Sequence, residues 1–406
     1  MKLPIGIEDF AMLRQNNYYF VDKSLFIKDL LDRSPKVLVM TRPPRFGKSL
    51  LLSMLKYFFS SEYGKGNRHL FDGLAIEQAG SPYMDEQGEK PVVMISLKEC
   101  KGTTWAQMLE NLKSKMAALY QQYMFLMKNK AIRDVERRYF TAICNKSSNT
   151  ASLEISLQQL LQFIKQHYHK PVVLLIDDYD MVIQQAWEND FYTEACTFMG
   201  NFLGSALKTN PALDFALLAG VLGIPDNNFF LGLNNVVTSS VVNESYPTTM
   251  GFTRDEVTKL ASTLGQKQRL PEIAQWYGGY HYAGMEIYNP WSVISYFANH
   301  YRSQSYWDIT INQTMLKQLI PIASHGQHNS LLQLHDGQNI TAVIEEETFY
   351  EDVGKNVDAL YTFLLSNGCL TTESSHWGPA GYECTLTIPN KEAHILYRQE
   401  IFRHIS

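Results

Sequence analysis

The stretch Lys36-Val37-Leu38-Val39-Met40-Thr41-Arg42-Pro43-Pro44-Arg45-Phe46-Gly47-Lys48-Ser49-Leu50 carries the reading of the fold. Residues 36–40 form a Val/Leu-rich run entered from Ser34-Pro35, and after the loop the apolar residues Leu51, Met54, Leu55 and Phe58 recur at helical spacing. The order is strand, tight loop, helix. Working outward, apolar strands are expected at 91–97, 172–176, 215–221 and 235–242, with helices around 105–127, 131–144, 151–168 and 189–207 between them. Strands that are apolar on both faces and alternate with helices imply an α/β domain with a mostly parallel sheet covered on both sides.

The loop itself carries the strongest chemical signal. Gly47 lets the backbone come close to a phosphate, and the N–H groups at the start of the following helix point toward it. Lys48 supplies a cation for the β- and γ-phosphates, and the Ser49 hydroxyl is a ligand for Mg²⁺. The usual GxxxxGK[ST] spacing would place a glycine at position 42, where this chain has Arg42. A second element belongs on a neighbouring strand, and Val172-Val173-Leu174-Leu175-Ile176-Asp177-Asp178 supplies an apolar strand ending in two carboxylates. Acids at that end of a parallel strand face the crevice where ligands bind. Asp177 is then the acid that helps hold the metal, and Asp178 the one that polarises water if hydrolysis occurs. The expected nucleotide-binding set is Arg42, Arg45, Phe46, Gly47, Lys48, Ser49 and Leu50, with Ser49 and Asp177 on the metal and Lys48 and Asp178 in catalysis.

A chain of 406 residues is enough for two or three domains with a sizeable core. With 45% hydrophobic and 19% charged residues it reads as globular, not disordered. Lys plus Arg number 36 against 41 Asp plus Glu, a net charge of −5, so nucleic-acid binding is not supported by charge and would need a local basic patch. The densest basic stretch, Lys128 to Arg138, is broken by Asp134 and Glu136 and reads as an exposed helix face with local ion pairs. The five cysteines are odd in number and far apart, without zinc-like spacing, and are expected to be reduced thiols. The N-terminus lacks the apolar stretch of a secretory signal, and the longest uncharged apolar stretch, 215–225, is too short to span a bilayer. A cytoplasmic location without membrane contact is expected, although export by a machine that reads no N-terminal signal would leave no mark.

After about residue 250 the pattern changes. A helix over 252–264 opens a region rich in Tyr and Trp, and a helix at 356–365 precedes strands at 369–373 and 382–388 joined by a turn at 374–381. That is a helix followed by a two-stranded wing. The wing region has few cations for phosphates and is read as a protein contact or a nucleotide lid. The cluster Trp276, Tyr277, Tyr280, Tyr282, Tyr288, Trp291 and Tyr296 lacks interleaved cations and reads as core or interdomain packing rather than a base-stacking platform. Three domains are expected: 1–250, 251–345 (a helical lid) and 346–406 (winged-helix-like).

Several segments resemble the bacterial AAA-ATPase-like family. They are Leu3-Pro4-Ile5-Gly6-Ile7-Glu8-Asp9-Phe10, Phe20-Val21-Asp22-Lys23-Ser24, Arg42-Pro43-Pro44-Arg45-Phe46-Gly47-Lys48-Ser49 and Ile176-Asp177-Asp178-Tyr179-Asp180. Further along come Gly232-Leu233-Asn234-Asn235, Trp276-Tyr277-Gly278-Gly279-Tyr280, Tyr288-Asn289-Pro290 and Ile388-Pro389-Asn390-Lys391-Glu392. The resemblance accounts for the missing first glycine, because relatives carry an Arg-Pro-x-Arg-Phe-Gly-Lys-Ser loop. It implies a P-loop NTPase core of five strands (ASCE/AAA-like), a helical and wing-bearing second region, and ATP with Mg²⁺ as ligands. Many relatives continue into a PD-(D/E)XK nuclease domain, which is expected to be absent from a chain ending at Ser406.

Two departures bear on turnover. Relatives have Asp-Glu where this chain has Asp177-Asp178, and one methylene fewer shortens the reach by about 1.5 Å. Relatives also carry a Thr-Gly-Val-Ser and a basic residue at the end of the sensor strand, where this chain has Ala219-Gly220-Val221-Leu222-Gly223. Removing a cationic contributor can cost about 10³ to 10⁵ in phosphoryl-transfer rate. The expectation is therefore retained nucleotide binding with slow hydrolysis coupled to conformational change. The alternative is a nucleotide-binding pseudo-ATPase that acts as a protein interaction module. Either reading expects a protein partner. A nuclease-like triplet, Asp85 with Glu99 and Lys101, is the weaker rival, since Glu99 and Lys101 fall beyond the strand they would need to sit on.

Overall fold

A computed structural model of the chain describes residues 1–62, 64–223, 236–243, 245–307, 323–345 and 357–403, together with Leu316 and Ile320. The Gly232-Leu233-Asn234-Asn235 segment lies outside the described residues, as does Asn356 at the start of the expected 356–365 helix.

Five strands, β1 (Val37–Thr41), β2 (Val92–Ser96), β3 (Val172–Asp177), β4 (Leu213–Gly220) and β5 (Val236–Ser239), form one sheet in the order β2-β3-β4-β1-β5. Every pair in it is parallel. Side chains alternate across a strand, so a sheet covered on both faces needs apolar residues at every position. The alternation is visible in β1. Val37 and Val39 join one core with Val93, Ile95, Leu174, Ile176 and Leu218, while Leu38 and Met40 join the other with Val173, Leu175, Leu217 and Ala219. The first core is closed by helices Trp105–Gln122, Ser156–Tyr168 and Tyr192–Leu207. The second is closed by α1 (Phe10–Gln15), α2 (Leu25–Arg33) and α3 (Lys48–Phe59). The helix expected at 151–168 divides at Ile155. The helix expected at 189–207 runs Tyr192–Leu207 and is preceded by a further helix, Met181–Glu188, the two parted where Asp190 takes a left-handed backbone (φ 61°) that a helix cannot carry through.

Beyond the sheet, helices Arg254–Thr263, Leu270–Tyr277 and Pro290–Ala298 build a third core on Leu260, Ile273, Tyr277, Val293 and Tyr296, against which Leu3 and Tyr19 pack. This region is not purely helical. β6 (Phe252–Thr253), β7 (Tyr280–Tyr282) and β8 (Met285–Tyr288) form a small antiparallel sheet, with Ala283 and Gly284 both left-handed in the two-residue turn between β7 and β8.

At the C-terminal end, β9 (Ile340–Val343), β10 (Thr371–Gly378) and β11 (Gly381–Thr387) form an antiparallel sheet in the order β10-β11-β9, next to helix Val357–Ser366. The expected turn at 374–381 shrinks to two residues, because Ser374 to Gly378 pair with Thr385 to Gly381. Ser375, His376 and Trp377 are all exposed there, so no apolar face marks that part as strand. The same apolar core runs on from the large sheet through Phe46, Tyr280 and Tyr282 into Trp307, Leu364, Leu370, Leu386 and Leu396.

Gly279 is left-handed (φ 78°), and a Cβ there would lie 2.2 Å from the carbonyl oxygen of Pro389. Only glycine permits that approach. Asn390 Nδ2 donates to the Gly278 carbonyl at 2.6 Å, so the Gly278-Gly279 and Pro389-Asn390 segments are in direct contact. Glu392, fully buried, accepts the amides of Tyr306 and Trp307 at 2.7 and 2.9 Å.

Candidate functional site

The loop between β1 and α3 turns through two left-handed residues, Arg45 (φ 69°) and Gly47 (φ 93°). Gly47 caps α3, and its carbonyl accepts the Leu51 amide at 3.0 Å, so the helix begins at Lys48 with its N–H groups facing out of the carboxyl edge of the sheet. A Cβ at Gly47 would meet no atom within 4 Å; glycine is required there for its backbone angle, not for space. Position 42 needs no glycine, because Arg42 directly follows β1 and its amide still donates to the Gly220 carbonyl of β4 at 3.1 Å.

Lys48 is buried, and its ammonium donates to the carbonyls of Arg42 and Pro43 at 2.9 and 3.0 Å. Burial pushes its pKa down, against the pull of Asp178, Asp180 and Asp177. The Ser49 hydroxyl donates to Asp177 Oδ2 at 2.6 Å, which joins the first turn of α3 to the end of β3. Asp177 is 4% exposed, and its Oδ1 accepts no hydrogen bond among the described residues. Burial, and then the adjacent Asp178 charge, push its carboxyl up to about 6. A hydroxyl and a buried carboxylate with one unused oxygen are hard donors of the kind Mg²⁺ takes, so these residues fit the metal.

Asp178 is left-handed (φ 51°) and half-buried, and burial raises its pKa while Lys48 and Lys98 oppose the rise. It lines a cavity of about 350 Å³, a size suited to a small ligand. The loop from Pro44 to Leu50 forms one wall, and Glu8, Lys98, Val221 and Leu222 lie around the acid. Apolar lining comes from Ile7, Phe20 and Val21 of the N-terminal segment and from Phe252, Trp291 and Ile294 of the region beyond residue 250.

Most of the expected residues therefore meet. Gly47, Lys48, Ser49, Leu50 and Asp178 all border the cavity, with Asp177 directly behind Ser49. Phe46 borders it too, but its ring is buried edge-on against Tyr280 at 5.2 Å, so it also anchors the loop to the β7–β8 hairpin. Arg45 is exposed at the rim with its guanidinium 4.6 Å from the Trp291 ring centroid. Arg42 is absent from the lining. It is fully buried and donates to the carbonyls of Thr41, Ser239 and Tyr246 and to the Ser239 hydroxyl, holding the base of the loop to the end of β5 and to Tyr246 beyond it. The expected aromatic cluster splits: Tyr277, Tyr280, Tyr282, Tyr288 and Tyr296 are buried, while Trp291 faces the cavity. Asp85 bonds to Ser81 and Glu99 pairs with Lys115, so the nuclease-like triplet is not assembled.

Three residues escaped the sequence reading. Asp180 is buried and its Oδ2 accepts the amides of Val221 and Leu222 at 2.9 and 3.0 Å, while the Tyr179 hydroxyl donates to the Leu222 carbonyl at 2.6 Å. The exit of β3 thus clamps the exit of β4. Its only sequence signal is the third acid of Asp177-Asp178-Tyr179-Asp180. Glu8 and Lys98 form an ion pair at 3.6 Å on the cavity wall, and no local pattern announces it.

A family model described as "Predicted AAA-ATPase" matches residues 4–230, more than half of the chain. The chain belongs to the AAA-ATPase-like family. Among relatives, a protein of Azotobacter chroococcum mcd 1 described as "Uncharacterized protein in vnfD 5'region" is 27% identical over 321 residues. The match covers 79% of this AAA-ATPase-like chain and 56% of that protein, so the chain spans little more than half of its relative. Among the described residues no helix is long and apolar enough to cross a membrane.

Proposed function

We propose that this AAA-ATPase-like chain binds ATP with Mg²⁺ in the cavity between the 44–50 loop and Asp178, and hydrolyses it slowly. The observation that carries the reading is the 2.6 Å contact of Ser49 with Asp177 beside the buried Lys48, in the wall of a cavity of about 350 Å³. The α3 amides and Lys48 would take the phosphates, and Ser49 and Asp177 would hold the metal. Mg²⁺ bound there would neutralise charge on the phosphate oxygens. Asp178 would accept the proton of the attacking water, with the shorter reach of aspartate limiting the rate. The apolar arm at Phe20, Phe252 and Trp291 would receive the base.

Turnover would be felt elsewhere through Phe46 and Pro43. Phe46 packs on Tyr280 and Tyr282, and a Cβ on Gly368 would lie 3.1 Å from Pro43 Cβ, so the loop cannot move without disturbing the C-terminal part. In this reading the chain comprises an ATPase-like domain (1–250), a helical lid (251–345) and a winged-helix-like region (346–406) that meets a protein partner, in the cytoplasm.

A second reading, a nucleotide-stabilised interaction module without turnover, is favoured by Val221 and Leu222. They bring no polar side chain to the cavity, and their amides are already engaged by Asp180. Single-turnover incubation with labelled ATP and Mg²⁺, beside Lys48→Ala, separates the two. Lys48-dependent phosphate release supports the ATPase. A raised melting temperature without release supports the module. Neither signal would refute nucleotide binding.

A further inference from the structure

Four cations line the cavity among the described residues: Lys23, Arg45, Lys48 and Lys98. Three are committed. Lys23 donates to both Glu256 carboxylate oxygens and to the Thr248 carbonyl, each within 2.8 Å. Arg45 lies over Trp291, and Lys48 is held by the carbonyls of its own loop. Lys98 is held differently. Its partner is Glu8 at 3.6 Å, with the two side chains 57% and 55% exposed. An exposed pair at that distance contributes little and is readily exchanged for a better anion.

Its place in the sheet is specific. The Leu97 amide donates to the Asp177 carbonyl at 2.9 Å, the last link between β2 and β3, so Lys98 leaves the sheet beside the point where Asp178 does. Lys98 and Asp178 line the same cavity. On the other side of β3, β4 is followed by Val221 and Leu222, which offer no cation. A lysine on a flexible four-carbon stem can turn toward a phosphate without movement of the backbone.

We infer that Lys98 reads the terminal phosphate of a bound nucleoside triphosphate, giving up Glu8 to do so. The inference rests on the nucleotide reading of the same cavity and deepens it. Lys98 becomes a specificity-determining residue that separates a triphosphate from a diphosphate, and Glu8 the competitor that a diphosphate leaves in place. Pro4, Gly6 and Ile7, the neighbours of Glu8 in the chain, line the same cavity.

The test is equilibrium binding of ATP and ADP, each with Mg²⁺, to the full chain by calorimetry, for wild type, Lys98→Ala, Glu8→Gln and the double variant. Lys98→Ala is expected to weaken ATP about 10-fold, the loss of one charge-assisted contact, and to leave ADP within about 2-fold. Glu8→Gln is expected to raise the preference for ATP over ADP, and to do so only when Lys98 is present. Equal weakening of both nucleotides, or no change in either, overturns the assignment to Lys98 while leaving the nucleotide site standing. Absence of binding by wild type overturns the site and the assignment with it.

Discussion

The Ser49 hydroxyl donates to Asp177 Oδ2 across 2.6 Å although the two residues stand 128 positions apart in the chain. The contact links the helix that would face phosphate to the strand that would face metal, and the second carboxylate oxygen is left without a partner among the described residues.

Because Asp177 is raised to about 6, only about a tenth of it is ionised at pH 5 and about nine-tenths at pH 7. Mg²⁺ needs the carboxylate, so metal-dependent ATP affinity is expected to fall about 10-fold from pH 7 to pH 5. The ligand-free protein should move the other way. A carboxyl whose folded pKa lies above its unfolded one favours folding while protonated, and that contribution is lost as pH rises toward 6. Thermal unfolding with and without Mg²⁺ and ATP at pH 5, 6 and 7 checks both signs.

Asp178→Glu lengthens the side chain next to the cavity. If reach limits the water-activating step, single-turnover phosphate release should rise by at least about 10-fold, a fraction of the roughly 10² to 10⁴ that a well-placed general base contributes. An unchanged rate would remove the short side chain as the cause of slow turnover.

Arg42 and Arg45 sit three positions apart and should behave as opposites. Arg42→Ala strands the buried carbonyls of Thr41, Ser239 and Tyr246, at about 1 to 3 kcal/mol each, and should lower stability by about 3 kcal/mol or more. Arg45→Ala removes an exposed cation–π contact worth about 0.5 to 1 kcal/mol. Urea unfolding of the two variants measures the contrast.

Glu392 is fully buried, and burial lifts its carboxyl to about 7. By the same linkage the wild type should lose stability as pH rises from about 4.5 to 7, and Glu392→Gln, which keeps an oxygen for the Tyr306 and Trp307 amides, should make that slope shallower. Glu392→Ala should cost about 2 to 5 kcal/mol near pH 4.5, where the wild-type carboxyl is protonated and both amides lose their acceptor, and less as pH rises toward 7. Melting curves across this range distinguish the variants.

Where burial leaves a repeating mark, the chain is legible. β1, β3 and β4 read as strands because both faces of each are covered, and α3 reads as a helix because one face is. Strand Thr371–Gly378 runs five residues past its expected end because its outer half has no apolar side to show. The β7–β8 hairpin leaves no sequence signal because its strands have only three and four residues, too few for alternation to stand out among so many aromatics.

By itself the sequence determined the parallel α/β core and the Gly47-Lys48-Ser49 turn into α3, since these depend on neighbours in the chain: backbone angles, helical spacing, apolar runs. Only the tertiary structure decided that Ser49 meets Asp177, that Asp180 clamps the end of β4, that Arg42 is buried in the frame, and that Glu8 faces Lys98 on the cavity wall. Each of those contacts is made by single polar side chains brought together from distant positions. A lone polar residue has no period, and its partner is chosen by which strands the sheet places side by side.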